Sequence, residues 1–118
     1  MVRFVLCEGA WEGACYWKRL AKILSAGGHE VYRPTYTGIG ERSHLLSPEI
    51  NLETHIQDVL GVIKYEELED VVLVGHGYGG MVVTGVADRA GGHLRALVYL
   101  DAFLPEETTR ILIEAAAR

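Results

Sequence analysis

Residues 71–80 read Val71-Val72-Leu73-Val74-Gly75-His76-Gly77-Tyr78-Gly79-Gly80. The first four are apolar and mostly β-branched, which is typical of a central strand covered on both faces of a parallel sheet. Glycines dominate the next six positions, and the apolar spacing from about residue 78 to residue 90 favours a helix. This stretch therefore predicts a buried strand, a tight turn and a helix, in that order.

The alternation of strand and helix continues on both sides of this stretch. The spacing predicts strands at residues 2–6, 29–33, 70–74 and 94–100 and helices at 15–24, 52–63, 78–90 and 106–118. Asn51 is placed to cap the second helix, and a long polar loop occupies residues 37–48. Parallel strands joined by right-handed crossovers make the fold class α/β, a short doubly wound sheet of about four strands in one domain, residues 1–118.

Composition limits the possible partners. The chain has 49% apolar and 23% charged residues and a formal net charge of −5, with no basic cluster, so no nucleic-acid partner is predicted. Its apolar runs are too short to cross a bilayer, and no signal pattern precedes the first strand, which favours a cytoplasmic protein. Cys7 and Cys15 form no metal motif, and we predict reduced thiols, no metal and no cofactor.

Two functional motifs overlap in residues 75–80. By letter they match the Gly-x-Gly-x-x-Gly fingerprint of dinucleotide sites, and Asp101 ends the next strand about 20 positions further on. That fingerprint normally follows the first strand of its fold, whereas this one follows the third. A strand, sharp turn and helix is also the context of a nucleophile elbow, whose central residue is normally serine. Here the centre is Gly77, which has no atom that could attack a carbonyl.

Four segments in the same order resemble the α/β-hydrolase superfamily, in its esterase and hydroxynitrile-lyase-like branch. They are residues 4–14, 37–42, 70–80 and 97–105. The resemblance extends to about Glu106 and outweighs the dinucleotide match. It implies carboxylic-ester chemistry without a cofactor. It also implies a truncated fold, the first half of the family's sheet, because the family's cap, later strands, and triad acid and histidine usually follow this region.

The resemblance also implies site residues. An oxyanion hole would be formed by the backbone N–H groups of Ala10 and Tyr78, and a small-molecule ester or acid would lie against Trp11 and Phe103. Three departures oppose serine hydrolysis: Gly77 replaces the nucleophile, Glu8-Gly9 replaces the usual His-Gly and brings a carboxylate beside the hole, and the chain holds no late Asp…His pair.

Three hypotheses remain open. The chain could be an inactive or weakly active hydrolase that still binds its ligand. It could be an assembly module, because the fourth strand is interior in the parent fold and an uncovered edge here predicts a homodimer. It could keep residual esterase activity through a non-standard nucleophile or through water positioned by His76. Asp101 is a further candidate acid, since some members of the superfamily place theirs at this strand end.

Overall fold

The computed structural model describes residues 1–103, so the helix predicted at 106–118 lies outside the described residues. The strands are β1 (Arg3–Cys7), β2 (Glu30–Tyr32), β3 (Val71–Gly77) and β4 (Leu94–Ala102); the helices are α1 (Lys18–Ala26), α2 (Leu52–Tyr65) and α3 (Gly79–Ala90). Three 3-10 turns lie at Ala14–Trp17, Gly40–Leu45 and Gly91–His93. The predicted α/β class, strand number and element order are confirmed.

Two boundaries differ from the prediction by three residues, and the others differ by at most two. The first helix was expected from residue 15, but the chain winds as a 3-10 turn through Trp17, and α1 begins only at Lys18. The third strand was expected to end at residue 74, whereas β3 continues to Gly77. It does so because β4 stays paired with it, Gly75 lying opposite Tyr99.

The four strands are all parallel and lie in the order β2-β1-β3-β4. Cys7 lies opposite Gly75, which in turn lies opposite Tyr99. The carboxyl ends of β1, β3 and β4 therefore meet at one edge, where binding sites of open parallel sheets are found.

Side chains alternate between the two faces of the sheet, as strand geometry requires. On one face Val5, Cys7 and Leu73 pack against valines and isoleucines of α2 and α3. On the other, Leu6 and Val74 pack against Trp17. Cys7 is fully buried, and burial raises the pKa of its thiol, which keeps it protonated.

Helix α2 begins where predicted. The Asn51 side chain accepts a hydrogen bond from the Thr54 N–H at 3.1 Å, and the Asn51 N–H donates to Thr54 Oγ1 at 3.2 Å. This reciprocal capping box satisfies two otherwise unpaired N–H groups. It fixes the first turn of the helix, which carries His55. Across residues 1–103, every helix is too short or too polar to traverse a bilayer.

Candidate functional site

The turn between β3 and α3, residues 75–80, is called the elbow below. Gly77 stands at its apex with a φ of +54°, in the left-handed region that residues with a Cβ rarely adopt. A Cβ built there would meet only the Gly9 Cα, at 3.7 Å, an ordinary van der Waals distance. The apex therefore has the left-handed backbone of a nucleophile position, which glycine adopts without strain, and space for a side chain but none present.

Two backbone N–H groups near the apex were predicted from the sequence as donors to an oxyanion. The N–H groups of Ala10 and Tyr78, the predicted oxyanion donors, have no acceptor within residues 1–103. Tyr78 directly precedes α3, and the amino end of a helix favours negative charge. Their role in stabilising an oxyanion stays a prediction.

The carboxylate of Glu12 lies between the end of β1 and the elbow. Its Oε2 accepts a hydrogen bond from the Gly9 N–H at 3.0 Å. The same oxygen is 3.4 Å from Nδ1 of His76, close enough for an ion pair with a protonated ring but not aligned for a hydrogen bond. Sequence reasoning did not single out Glu12, because the bend of residues 9–13 over the strand end is not visible in a linear pattern.

The second acid near the end of β1, Glu8, is buried inside the protein. Its side chain has no exposed surface, and neither carboxyl oxygen has a hydrogen-bond partner among the described residues. Burial is the main cause that raises its pKa to about 7. The backbone N–H groups of Glu8 and Tyr36, which do not reach hydrogen-bond geometry, oppose the shift, and the carboxylates of Glu41 and Glu12 add to it. The carboxyl therefore keeps its proton well above the usual range, because its charged form is costly to bury.

His76 packs on the α1 face of the sheet. Its ring stacks on Tyr16 with centroids 4.7 Å apart, and its Nε2 is 3.3 Å from Tyr16 Oη. Trp17 meets it edge-on at 6.2 Å. These contacts explain a packing role for His76, and a catalytic role stays a prediction.

A cavity of about 220 Å³ opens beside the elbow on the opposite face of the sheet. It is lined by aromatic rings and aliphatic side chains, namely Ala10, Trp11, Tyr36, Ile39, Leu46, Ile50, His55 and Tyr78. Trp11, predicted as a pocket residue, lines it, and 79% of its surface is exposed at the rim. A cavity of this kind, apolar with a few polar atoms, suits a small organic ligand.

Two further predicted residues, Phe103 and Asp101, do not line this cavity. Phe103 is outside the cavity lining; its N–H donates to the Gly77 carbonyl at 2.9 Å, which ties the end of β4 to the elbow. Asp101 is exposed near the end of β4, with a φ of +45°. Its role as an acid stays a prediction.

His55 is a site residue that sequence reasoning missed. Its Nδ1 is 2.8 Å from Tyr78 Oη, its Nε2 is 3.1 Å from the Thr37 carbonyl oxygen, and its ring stacks on Tyr36 at 4.8 Å. Burial lowers the pKa of His55 and raises that of Tyr78 to about 12. The only signal in the sequence was that His55 precedes Val59 by one helical turn, on the buried face of α2.

A parallel sheet in which an inner strand runs through a sharp turn into a helix is the arrangement of the α/β-hydrolase fold. The sequence model of the Alpha/beta hydrolase family matches residues 4–118. The chain belongs to this family.

Individual relatives place the chain near esterases. It is 58% identical over 106 residues to a carbendazim hydrolyzing esterase of Nocardioides sp. (strain SG-4G), covering 90% of this chain and 44% of that protein. It is 30% identical over 106 residues to an alpha-hydroxynitrile lyase of Arabidopsis thaliana, covering 89% and 41%. The chain thus spans less than half the length of these relatives.

Solved structures agree on the fold. An extracellular alpha/beta-hydrolase from a Paenibacillus species, described as sharing structural and functional homology with tobacco salicylic acid binding protein 2, superposes with a TM-score of 0.83 at 28% identity, covering 99% of this chain and 52% of that one. Polyneuridine aldehyde esterase superposes with a TM-score of 0.86 at 24% identity, covering 98% and 46%.

Proposed function

We propose that this chain is an esterase-like member of its family that binds a small ester or acid at the elbow without forming an acyl-enzyme. Gly77 carries the proposal. Nucleophilic catalysis needs an oxygen, sulfur or nitrogen atom to attack the carbonyl, and a hydrogen atom stands where that side chain would begin.

Three features support binding. The free N–H groups of Ala10 and Tyr78 suit a carbonyl or carboxylate oxygen. The neighbouring cavity suits the ligand's apolar part. The most similar of the relatives named above is an esterase.

Turnover of p-nitrophenyl acetate and p-nitrophenyl butyrate tests this proposal. We expect release of p-nitrophenolate at the rate seen in buffer, together with saturable quenching of tryptophan fluorescence by methyl phenylacetate. The quenching is expected to shrink in Trp11→Phe, since Trp11 lines the cavity whereas Trp17 is buried on the other face. Turnover above buffer that disappears in His76→Ala would contradict the proposal and support water activated by His76.

We also propose that the chain self-associates. The support is β4, which is the edge strand of the described sheet and exposes three apolar side chains, those of Leu97, Val98 and Leu100. An unpaired edge of this kind can pair with a second copy. Light scattering after size-exclusion chromatography is expected to give a dimer mass that falls on dilution; a monomer at every concentration would contradict it.

A further inference from the structure

A groove of about 430 Å³ lies along the start of α1 and shares no residue with the cavity beside the elbow. It is lined by one thiol, one phenol and three cations, namely Cys15, Tyr16, Lys18, Arg19 and Lys22. The thiol and the cations recur every three or four residues, which places them on one side of the helical turns. The groove therefore gathers a small basic cluster that was not predicted, because helical spacing brings its members together.

The described acids leave the cations of this groove unneutralised. Residues 13–29 contain no Asp or Glu, and the three groove cations form no ion pair within residues 1–103. The acid that precedes this stretch, Glu12, is held at the elbow side, where its Oε2 accepts from the Gly9 N–H and lies 3.4 Å from Nδ1 of His76. The groove is thus a positive patch that attracts an anion from solution.

Cys15 supplies this patch with a nucleophile. Its thiol is free and exposed, and its Sγ makes one weak hydrogen bond, to the carbonyl oxygen of Glu12 at 3.4 Å. Cys7, the other cysteine of the chain, is fully buried. A reagent in solution therefore reaches the thiol of Cys15 and not that of Cys7, and access together with nearby charge governs thiol–disulfide exchange.

We propose that this groove binds small anionic disulfides and that Cys15 forms a reversible mixed disulfide with them. The thiol of Cys15 gives its proton to water, and the thiolate attacks one sulfur of the bound disulfide. A new S–S bond forms as the old one breaks, so Cys15 is oxidised, and the other half of the disulfide leaves as a reduced thiolate that takes up a proton. The groove cations attract the negative groups of the disulfide. This inference is independent of ester binding at the elbow.

Glutathione disulfide is the probe for the modification itself. By intact-mass spectrometry we expect the native chain to gain one glutathionyl group, which dithiothreitol removes. Cys15→Ser is expected to gain none, because Cys7 is buried. An adduct that persists in Cys15→Ser, or a native chain that keeps its unmodified mass, would overturn the site.

The role of the charges is tested with cystamine, a disulfide that carries positive amines where glutathione disulfide is negative. A triple variant, Lys18→Gln with Arg19→Gln and Lys22→Gln, keeps the thiol and removes the groove cations. We expect the ratio of the rate constants, glutathione disulfide over cystamine, to fall about three- to tenfold in this variant, because each exposed charge contributes little. High salt is expected to remove the difference between the two proteins, since salt screens exposed charges.

Lys64→Gln is the control, because it removes an exposed cation outside the groove, and it is expected to keep the native ratio. Circular dichroism melts verify that each variant is folded. An unchanged ratio in the triple variant, or an equal fall in Lys64→Gln, would overturn the recruitment of anions by the groove.

Discussion

We expect Glu8→Gln to be more stable than the native chain at high pH. Its advantage in free energy of unfolding is expected to be about 3 kcal/mol larger at pH 8 than at pH 4. Glu8 is fully buried without a hydrogen-bond partner, and burial raises its pKa from 4.5 to about 7. The unfolded chain releases this proton near pH 4.5, whereas the folded chain holds it to about pH 7. The native fold therefore loses stability as pH rises through this window, and glutamine has no proton to lose.

Urea unfolding of both proteins at the two pH values measures this difference directly. Glu41→Gln is a control of opposite sign, since Thr35 Oγ1 donates to Glu41 Oε2 at 2.8 Å and holds the pKa of that carboxyl below its usual value. The Glu41 carboxylate stabilises the fold above its usual pKa, so its removal costs stability at pH 8 relative to pH 4. A Glu8→Gln effect of the same size at both pH values would contradict the claim that burial raises the pKa of Glu8.

The Gly75→Ala variant is expected to lose about 3 kcal/mol or more of stability. A Cβ at Gly75 would lie 2.6 Å from the Gly79 carbonyl oxygen, closer than any real contact of this kind. The Cβ is held rigidly by the backbone of β3 and the carbonyl belongs to the start of α3, so neither atom can move without opening the elbow.

Gly61→Ala is the matched control, because Gly61 lies inside α2 and a Cβ there meets nothing within 4 Å. It is expected to gain up to about 1 kcal/mol from the higher helix propensity of alanine. Unfolding midpoints in urea compare the two variants. A Gly75→Ala midpoint within experimental error of the native chain would show that the elbow is not packed as tightly as described.

The fold was predictable because its signals are local. The apolar run at residues 71–74 and the alternation of strands and helices need no distant contact to be read. Asn51 was recognised as a cap for the same reason, since its partner Thr54 is three residues away. The extension of β3 to Gly77 was missed because it depends on pairing with β4, not on the propensity of glycine.

The site was less predictable because its contacts join residues distant in sequence. Tyr78 was identified through its backbone N–H, but its hydroxyl partner His55 is 23 positions away. Glu12 was missed because its carboxylate lies 3.4 Å from the ring of His76, a residue on β3 far along the chain. The unusual protonation of Glu8 follows from complete burial, which no pattern of residue types reveals.

Intact-mass spectrometry after incubation with a serine-reactive fluorophosphonate tests the central claim most directly. The claim is that the chain, with Gly77 at the apex of the elbow, presents no nucleophile that such a reagent can phosphonylate. We expect the native chain to keep its unmodified mass throughout the incubation. Gly77→Ser is the comparison variant, because it supplies a hydroxyl group at the apex. A stoichiometric adduct on one residue of the native chain would contradict it.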